Sequence, residues 1–370
     1  MVRHFLNPGN KKKQNSAGAL FPWLLLLTFV ITALGIFFVF EASVDESFVL
    51  FGHQYHFVKR QLGWLLIGMM GMVVGYIVPY LFWQKTGLIW FLLGLVLLIM
   101  VFIPGLGLEL NGAHRWISVG PIFLQPIEFF KFATVAYFAS WLAKKQNVGP
   151  FLLLIGIPAL LVILQPDLGS LLILLWIAFG MYFLSGGEIK TFAAVGAIGI
   201  LLIALAIVTS PYRMKRLTTF LNPESDPLGA SFHIRQITLA LGNGGWIGQG
   251  LGNSRQKYSY IPEASSDSIF AIVAEEIGFF GSTLVIGLYL LTFLVMFRIA
   301  SSFYVLDKFK YLFLYGILIW ISVQTLLNLA SVVALVPLTG LPLPLFSYGG
   351  SSLAMILFVM GVFLRAKKEQ

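Results

Sequence analysis

Apolar runs of about twenty residues, separated by short polar turns, follow one another from residue 20 to residue 364. A helix needs about 20 mostly apolar residues to cross roughly 30 Å of hydrocarbon. Ten runs meet that need: 20–40, 61–79, 87–104, 127–143, 151–165, 168–185, 191–210, 268–297, 311–336 and 347–364. The pattern predicts an all-α polytopic membrane protein of about ten transmembrane helices. Two of the runs are short and divided by Gln165-Pro166-Asp167-Leu168-Gly169, which predicts a tight turn at membrane depth. One segment breaks the rhythm: residues 211–266 form a long loop between spans seven and eight. Loops of that length are functional or disordered. This one carries Tyr212, Phe220, Phe232, Trp246, Tyr258 and Tyr260 among glycines and basic residues, so an ordered loop folded on the mouth of the bundle is expected. No repeat of about 40 residues and no soluble domain interrupts the chain. It reads as a tail (1–19), a single transmembrane domain (20–365) and a second tail (366–370).

Composition agrees with this. Hydrophobic residues make up 58% of the chain and charged residues 11%, with mean hydropathy +0.90. A soluble domain has about a quarter of its residues charged. The net charge of +9 does not point to nucleic acid, because the basic residues sit in short loops beside apolar runs, where they orient a membrane protein. With the N-terminus inside, fourteen Lys and Arg lie in cytoplasmic segments and nine in outer ones, Lys131 within a span completing the 24. Several of the outer nine belong to the long loop, where charge weighs little. Both termini are therefore expected in the cytoplasm, the 211–266 loop outside, and the protein in the cytoplasmic membrane. The opening Arg3, Lys11, Lys12 and Lys13 before Leu20 imitate a signal peptide, but no small-residue cleavage site follows the apolar stretch, so an uncleaved first span is read. The absence of cysteine excludes disulfides, thiol catalysis and Cys-bound metal.

Ionisable groups at membrane depth are costly and hence candidates for function. Glu128 and Lys131, three residues apart, share a helix face and can pair. Asp167 can cap the sixth span. Asp267 stands where the long loop meets the eighth span, between Ser265-Ser266 and Ser268, and Glu275-Glu276 follow two turns later, with Glu275 expected below Asp267 on one stripe. Each carboxylate can be structural or chemical. Arg213, Lys215, Arg216, Arg235, Arg255 and Lys257 add a basic set outside the membrane, suited to phosphate or to anionic lipid.

Three motifs carry a resemblance. Ser347-Tyr348-Gly349-Gly350-Ser351-Ser352, after Gly340-Leu341-Pro342-Leu343-Pro344, resembles the C-terminal signature of the SEDS (shape, elongation, division, sporulation) family. Leu124-Gln125-Pro126-Ile127-Glu128-Phe129-Phe130-Lys131 and Gln165-Pro166-Asp167-Leu168-Gly169 resemble it too. The stretch Gly248-Gln249-Gly250-Leu251-Gly252-Asn253-Ser254-Arg255-Gln256-Lys257, on to Pro262-Glu263-Ala264, is similar to the family's division member more than to its elongation member. Pro211-Tyr212-Arg213 through Pro227-Leu228-Gly229 agrees. The likeness runs from about residue 20 to 365.

That resemblance implies a peptidoglycan glycosyltransferase that polymerises lipid II, a disaccharide-pentapeptide on undecaprenyl pyrophosphate. It also implies a class B penicillin-binding protein as partner, with other division proteins, at the septum. The family's essential aspartate, in a His-Thr-Asp motif, carries over to Asp267. Here Ser265 and Ser266 stand in place of His-Thr, and Ser268 replaces a Phe. Arg115, Lys131, Arg213, Arg216, Arg255 and Lys257 become candidates for binding substrate or pyrophosphate. Glu128, Asp167, Glu275, Glu276, Ser347, Gly349 and Gly350 become candidates for support. A divalent cation, Mg or Mn, is compatible with the pyrophosphate, though no motif compels it. The readings left standing beside the polymerase are a lipid II flippase, since intramembrane charges and Pro-Gly-interrupted spans would serve one, an elongation-type polymerase, and a non-catalytic scaffold for a penicillin-binding protein. Topology is directly testable because the chain lacks cysteine. A single cysteine at Asn222 should react with an impermeant thiol reagent in intact cells and one at Lys308 should not; the reverse labelling would overturn the orientation.

Overall fold

The computed structural model describes residues 18–110, 113–120, 122–144, 147–188, 211–222, 231–256, 263–304 and 306–369, with scattered positions between 190 and 208. The expected seventh span (191–210) lies outside the described residues apart from those positions. In chain order the helices are α1 (Phe21–Phe51), α2 (His56–Ile77), α3 (Tyr80–Met100), α4 (Pro126–Leu142), α5 (Val148–Leu164) and α6 (Leu168–Leu184). They continue with α7 (Pro211–Leu221), α8 (Phe232–Gly244), α9 (Ile269–Ser301), α10 (Lys308–Val332) and α11 (Gly350–Arg365). Six of the described helices are long and apolar enough to cross a membrane, and α5 and α6 are shorter apolar helices. The protein is a multi-pass membrane protein.

Nine helices match expected spans, and their ends differ for identifiable reasons. α1 runs to Phe51 rather than to residue 40. At 1.5 Å per residue its 31 residues measure about 46 Å, more than the hydrocarbon, and the last turns carry Glu41, Asp45 and Glu46. Gly52, at φ 72°, ends it. The loop expected between the third and fourth spans is not irregular. It folds as an antiparallel sheet in the order β1 (Gly107–Leu110), β2 (Ala113–Val119), β3 (Ile122–Leu124), registered Gly107 to Ile117 and Ile117 to Leu124. Strands of three to seven residues leave no trace in a search for twenty-residue runs.

Small residues let helices approach where no hydrophobic difference between lipid and helix could draw them together. α2 buries Gly68, Met72 and Gly75 against α11, while Leu66, Met70, Val73 and Ile77 form its exposed stripe. A Cβ added at Gly361 would come within 2.0 Å of the Met72 carbonyl oxygen.

The segments that the charge rule assigns to the inside meet at one end. Arg365 donates to the carbonyls of Tyr76 and Ile77 at the end of α2, Lys310 pairs with Glu369 at 3.1 Å, and the Tyr80 N–H reaches Glu369 Oε1 at 3.4 Å. Asp267, Ser347 and the sheet lie at the opposite end.

The helix α9 is broken. Gly278 has φ 65° and ψ −165°, so hydrogen bonding is interrupted in the middle of a 33-residue helix. The loop after α8 repairs the break: Gln249 and Gly250 N–H donate to the carbonyls of Glu275 and Glu276, and Phe279 and Phe280 N–H donate to Gly245 and Trp246. Backbone at membrane depth is tolerated only when its groups are satisfied in this way. A Cβ at Gly278 would sit 2.3 Å from the Gly248 nitrogen, so glycine is required both for the angle and for the approach.

Gly361→Val should destabilise the detergent-solubilised protein by about 1–3 kcal/mol through overpacking. Leu66→Ala on the exposed stripe should stay within about 0.5 kcal/mol. Thermal or denaturant unfolding in micelles reads both, and equal losses would contradict the packing assignment.

Candidate active site

The turn that carries Asp267 is built by neighbours far away in sequence. Asn328, fully buried on α10, donates to the Asp267 carbonyl at 2.8 Å and to the Leu341 carbonyl at 2.7 Å. The Tyr348 N–H donates to the Ser265 carbonyl at 2.8 Å. The segment from Gly340 to Gly349 is held in turn. Ser347 Oγ accepts from the Leu343 N–H at 2.8 Å, and Gln61 Nε2 of α2 donates to the Ser347 carbonyl at 3.0 Å. Gly350 has no room for a side chain because a Cβ there would meet the Trp64 indole at 2.1 Å. Ser347 and Gly350 therefore shape the backbone around Asp267.

Between these loops and the sheet lies a cavity of about 340 Å³ lined by Arg115, Trp116, Gln125, Arg216, Glu263, Asp267 and Tyr348, with Gly349, Ser351 and Ser352 among its walls. Arg115 comes from β2, where its guanidinium donates to the carbonyls of Gln165 and Pro166 at the α5–α6 turn. Arg216 comes from α7 and reaches the Leu338 carbonyl at 3.3 Å. Burial, with Glu263 as a second cause, raises the Asp267 carboxyl from 3.8 to about 7; its own backbone N–H, Arg216 and Ser268 act in the opposite direction. Ser268 Oγ donates to Asp267 Oδ1 at 3.4 Å, and on its other side meets His233 Nε2 of α8 at 2.8 Å.

Two further cavities share lining residues with this one. The first, about 470 Å³, shares Trp116, Glu263, Ser266, Tyr348 and Gly349 and runs along Arg60, Trp64, Ile67 and Phe123. The other, about 240 Å³, shares Arg216 and is walled by Leu168, Leu171, Leu172, Leu217, Leu327, Val336 and Leu338. Burial raises the Tyr348 hydroxyl, while Arg60, hydrogen-bonded to it, pulls it down.

Of the residues singled out from sequence, Asp267, Arg115, Arg216 and Gly349 meet on one cavity. Others do not. Lys131 is fully buried inside the bundle, bonded at 2.8 Å to both Glu128 and Gln324 and 5.0 Å over the Trp320 ring. Gln324 also donates to the Pro342 carbonyl, so this ion pair lies beneath the floor of the cavity instead of on its surface. Asp167 caps α6, accepting from Ser170 N–H and Oγ at 3.0 and 2.8 Å. Glu275 does not line the cavity below Asp267. It accepts from Ser254 Oγ, from Asn243 Nδ2 and from the Gln256 N–H, while Glu276 accepts from the Ser254 N–H. Those contacts turn Ser254 and Gln256 inward and leave Arg255 exposed and off the cavity. Lys257 lies outside the described residues, as does the Arg213 side chain.

Arg60, Trp116, His233, Glu263 and Tyr348 escape the sequence reading. A weak signal exists for Tyr348 and Glu263, which fall inside the motifs quoted above. None exists for His233, 34 residues before Asp267 on another helix. For the cation, no group of three or more acidic or histidine side chains converges among the described residues. Glu263 and Asp267 offer two carboxylates on one cavity.

Removing one member of the buried pair leaves a charge without a partner, which costs about 3–5 kcal/mol. Glu128→Gln and Lys131→Met should each destabilise strongly, and the double change by clearly less than the sum of both, in unfolding experiments in detergent. Simple additivity would remove the pairing.

Comparison with known proteins follows the same outline. Residues 22–370 match the family described as cell cycle protein, that of FtsW, RodA and SpoVE. Stage V sporulation protein E of Bacillus subtilis is 37% identical over 353 residues, 93% of this chain and 96% of that protein. A probable peptidoglycan glycosyltransferase FtsW of Pasteurella multocida is 38% identical over 356 residues, 94% and 90% respectively. Among solved structures, a chain of a peptidoglycan synthase complex that coordinates polymerization and crosslinking superposes with TM-score 0.76 at 28% identity, covering 94% of this chain and 97% of that one. The rod shape determining protein RodA of Thermus thermophilus superposes at 0.69 with 25% identity, covering 94% and 96%.

Proposed function

This chain belongs to the FtsW, RodA and SpoVE family of cell cycle proteins, and from that premise we propose that it is a peptidoglycan glycosyltransferase of the division type. Its substrate is lipid II, and it works with a class B penicillin-binding protein at the septum. The observation that carries the reading is the carboxyl of Asp267, raised to about 7 on a cavity that also holds two arginines.

The reaction joins the 4-hydroxyl of one sugar to the anomeric carbon of another. The new C–O bond forms as the bond from the anomeric carbon to the phosphate oxygen breaks, and undecaprenyl pyrophosphate departs with the electron pair. Asp267 takes the hydroxyl proton in the transition state. A base whose pKa lies near the working pH balances being ionised against being basic enough to accept that proton. Arg115 and Arg216 face the same space and offset the charge that grows on the leaving pyrophosphate. A divalent cation, if bound, would supply further charge neutralisation, and Glu263 is the lining residue that would hold it. Base and leaving group should stand on opposite faces of the sugar, as in inverting glycoside chemistry.

The two flanking cavities support a lipid-linked substrate. Both have an apolar wall and share lining residues with the polar centre, which suits a polyprenyl tail lying along helices while its sugars reach Asp267. The buried charge of Lys131 is occupied by Glu128 and Gln324, an anchoring arrangement that lends no support to a transport path through the bundle.

Asp267→Asn keeps shape and removes the acceptor. The variant should insert and fold while lipid II polymerisation by the purified protein with its transpeptidase falls by about 10²-fold or more. Wild-type turnover should rise with pH through about 7, because Asp267 acts only when ionised. Near-normal polymerisation by folded Asp267→Asn protein would overturn the assignment.

A further inference from the structure

His233 lies on α8, in the long outer loop, and takes no part in the mechanism so far. It is neither on the wall of the central cavity nor beside Asp267 in sequence. Yet its Nε2 is 2.8 Å from Ser268 Oγ, and Ser268 is the residue that hydrogen-bonds the Asp267 carboxyl.

The hydroxyl of Ser268 has a single proton and an ionised Asp267 can only accept, so with the carboxylate charged the direction of this chain follows. Ser268 Oγ donates that proton to Asp267 Oδ1. Its lone pair is what remains for His233, which must therefore donate its Nε2–H to Ser268. A neutral imidazole can carry its proton on Nε2. Burial, aided by Arg216, lowers the His233 pKa from 6.5 to about 4, so the ring is neutral at physiological pH. The bond from Ser268 to Asp267 is 3.4 Å, longer than an ordinary O–H···O contact of about 2.7 Å. Catalytic hydrogen bonds that are long in the free enzyme tighten once substrate is bound. A donor behind Ser268 polarises its hydroxyl and strengthens what it offers to the carboxylate.

We propose that His233 is a positioning residue for Asp267, the far end of a donor chain from His233 through Ser268 that steadies the ionised carboxylate and keeps it aimed at the substrate hydroxyl. The proposal deepens the reading of Asp267 as base and rests on it. It also assigns a role to the long loop, because α8 brings the imidazole to the site only when the loop is folded on the bundle. An imidazole thus stands at this site from another element, although Ser265 and Ser266 occupy the two positions before Asp267. The other groups facing Asp267 are Glu263 on its own turn, Arg216 from α7, Arg115 from β2 and Tyr348 from the loop before α11. Of these, Glu263 raises the carboxyl, and Arg216 opposes it in the same direction as the chain.

The sign of the effect follows. Donors to the ionised form favour it and lower its pKa, so removing them raises it. His233→Ala and Ser268→Ala should each move the Asp267 titration upward by about half a unit to one unit. The acidic limb of turnover against pH should move with it. At pH 6 a shift of one unit means about a tenfold loss of rate, and the loss should shrink as pH rises. His233→Gln offers a non-titrating N–H at a similar reach and should restore most of the wild-type limb.

Two readouts keep this proposal separate from the one beneath it. Labelling of Asp267 by a water-soluble carbodiimide, followed by mass spectrometry across pH, reports the protonated carboxyl without any turnover. Lipid II polymerisation across the same range reports the base. An upward labelling midpoint in His233→Ala, with recovery in His233→Gln, supports the donor chain whatever the polymerisation shows. If that midpoint moves while polymerisation ignores the ionisation of Asp267, the base reading fails and the chain stands. An unmoved midpoint in folded His233→Ala protein, judged by its unfolding temperature, overturns the proposal, as does a His233→Gln variant that behaves like His233→Ala.

Discussion

Asn328 spends both hydrogens of one buried amide on two carbonyls, those of Asp267 and Leu341, and the cavity end of the molecule is organised around that choice. One loop brings the carboxylate and the other forms the wall opposite it. Neither has regular structure to hold it. A buried polar group left unpaired costs about 1–3 kcal/mol, so the amide and the carbonyls lock each other in place. Tyr348 and Ser347 extend the lock, one bonding to Ser265 and the other to Leu343. The cavity then exists because backbone groups inside a membrane protein have few other partners to find.

The same constraint explains the broken helix. An interruption at Gly278 would expose carbonyls of α9, and the turn after α8 supplies the missing donors. Glu275 and Glu276 add side-chain acceptors that seize Ser254, Asn243 and Gln256. Two adjacent carboxylates in a span, costly in isolation, become the anchor that holds the stretch from Asn243 to Gln256 against α9. Through that anchor α8 is placed, and with it His233.

Charge is handled by depth. In the bundle, Lys131 and Glu128 neutralise each other, and Lys131 also donates to Gln324, which fixes Pro342 at the cavity floor. At the mouth, Asp267, Glu263, Arg115 and Arg216 are left facing a shared space. The interior pair gives rigidity, and the second group gathers charged side chains of both signs on one cavity.

The apolar runs by themselves determined the class of protein, the spans that the structure describes and, through the placement of Lys and Arg, the end at which Tyr80, Lys310 and Glu369 gather. They did so because crossing hydrocarbon demands length and apolarity, and both are properties of consecutive residues. Asp267 was legible for a related reason, since it marks the place where a basic loop meets a span. Arg115 was named as a candidate for binding substrate, but the strand that brings it to the same cavity as Asp267 was hidden, because β2 is one of three short strands. Glu275 was expected beneath Asp267 and instead holds the loop, and Arg255 and Lys131 stand off the cavity. Arg60, Trp116, Glu263, Tyr348 and His233 reach the site from five separate stretches. Only tertiary structure could decide that grouping, since hydrogen bonds such as those of Asn328 join residues 61 and 13 positions apart and nothing in the local pattern records them.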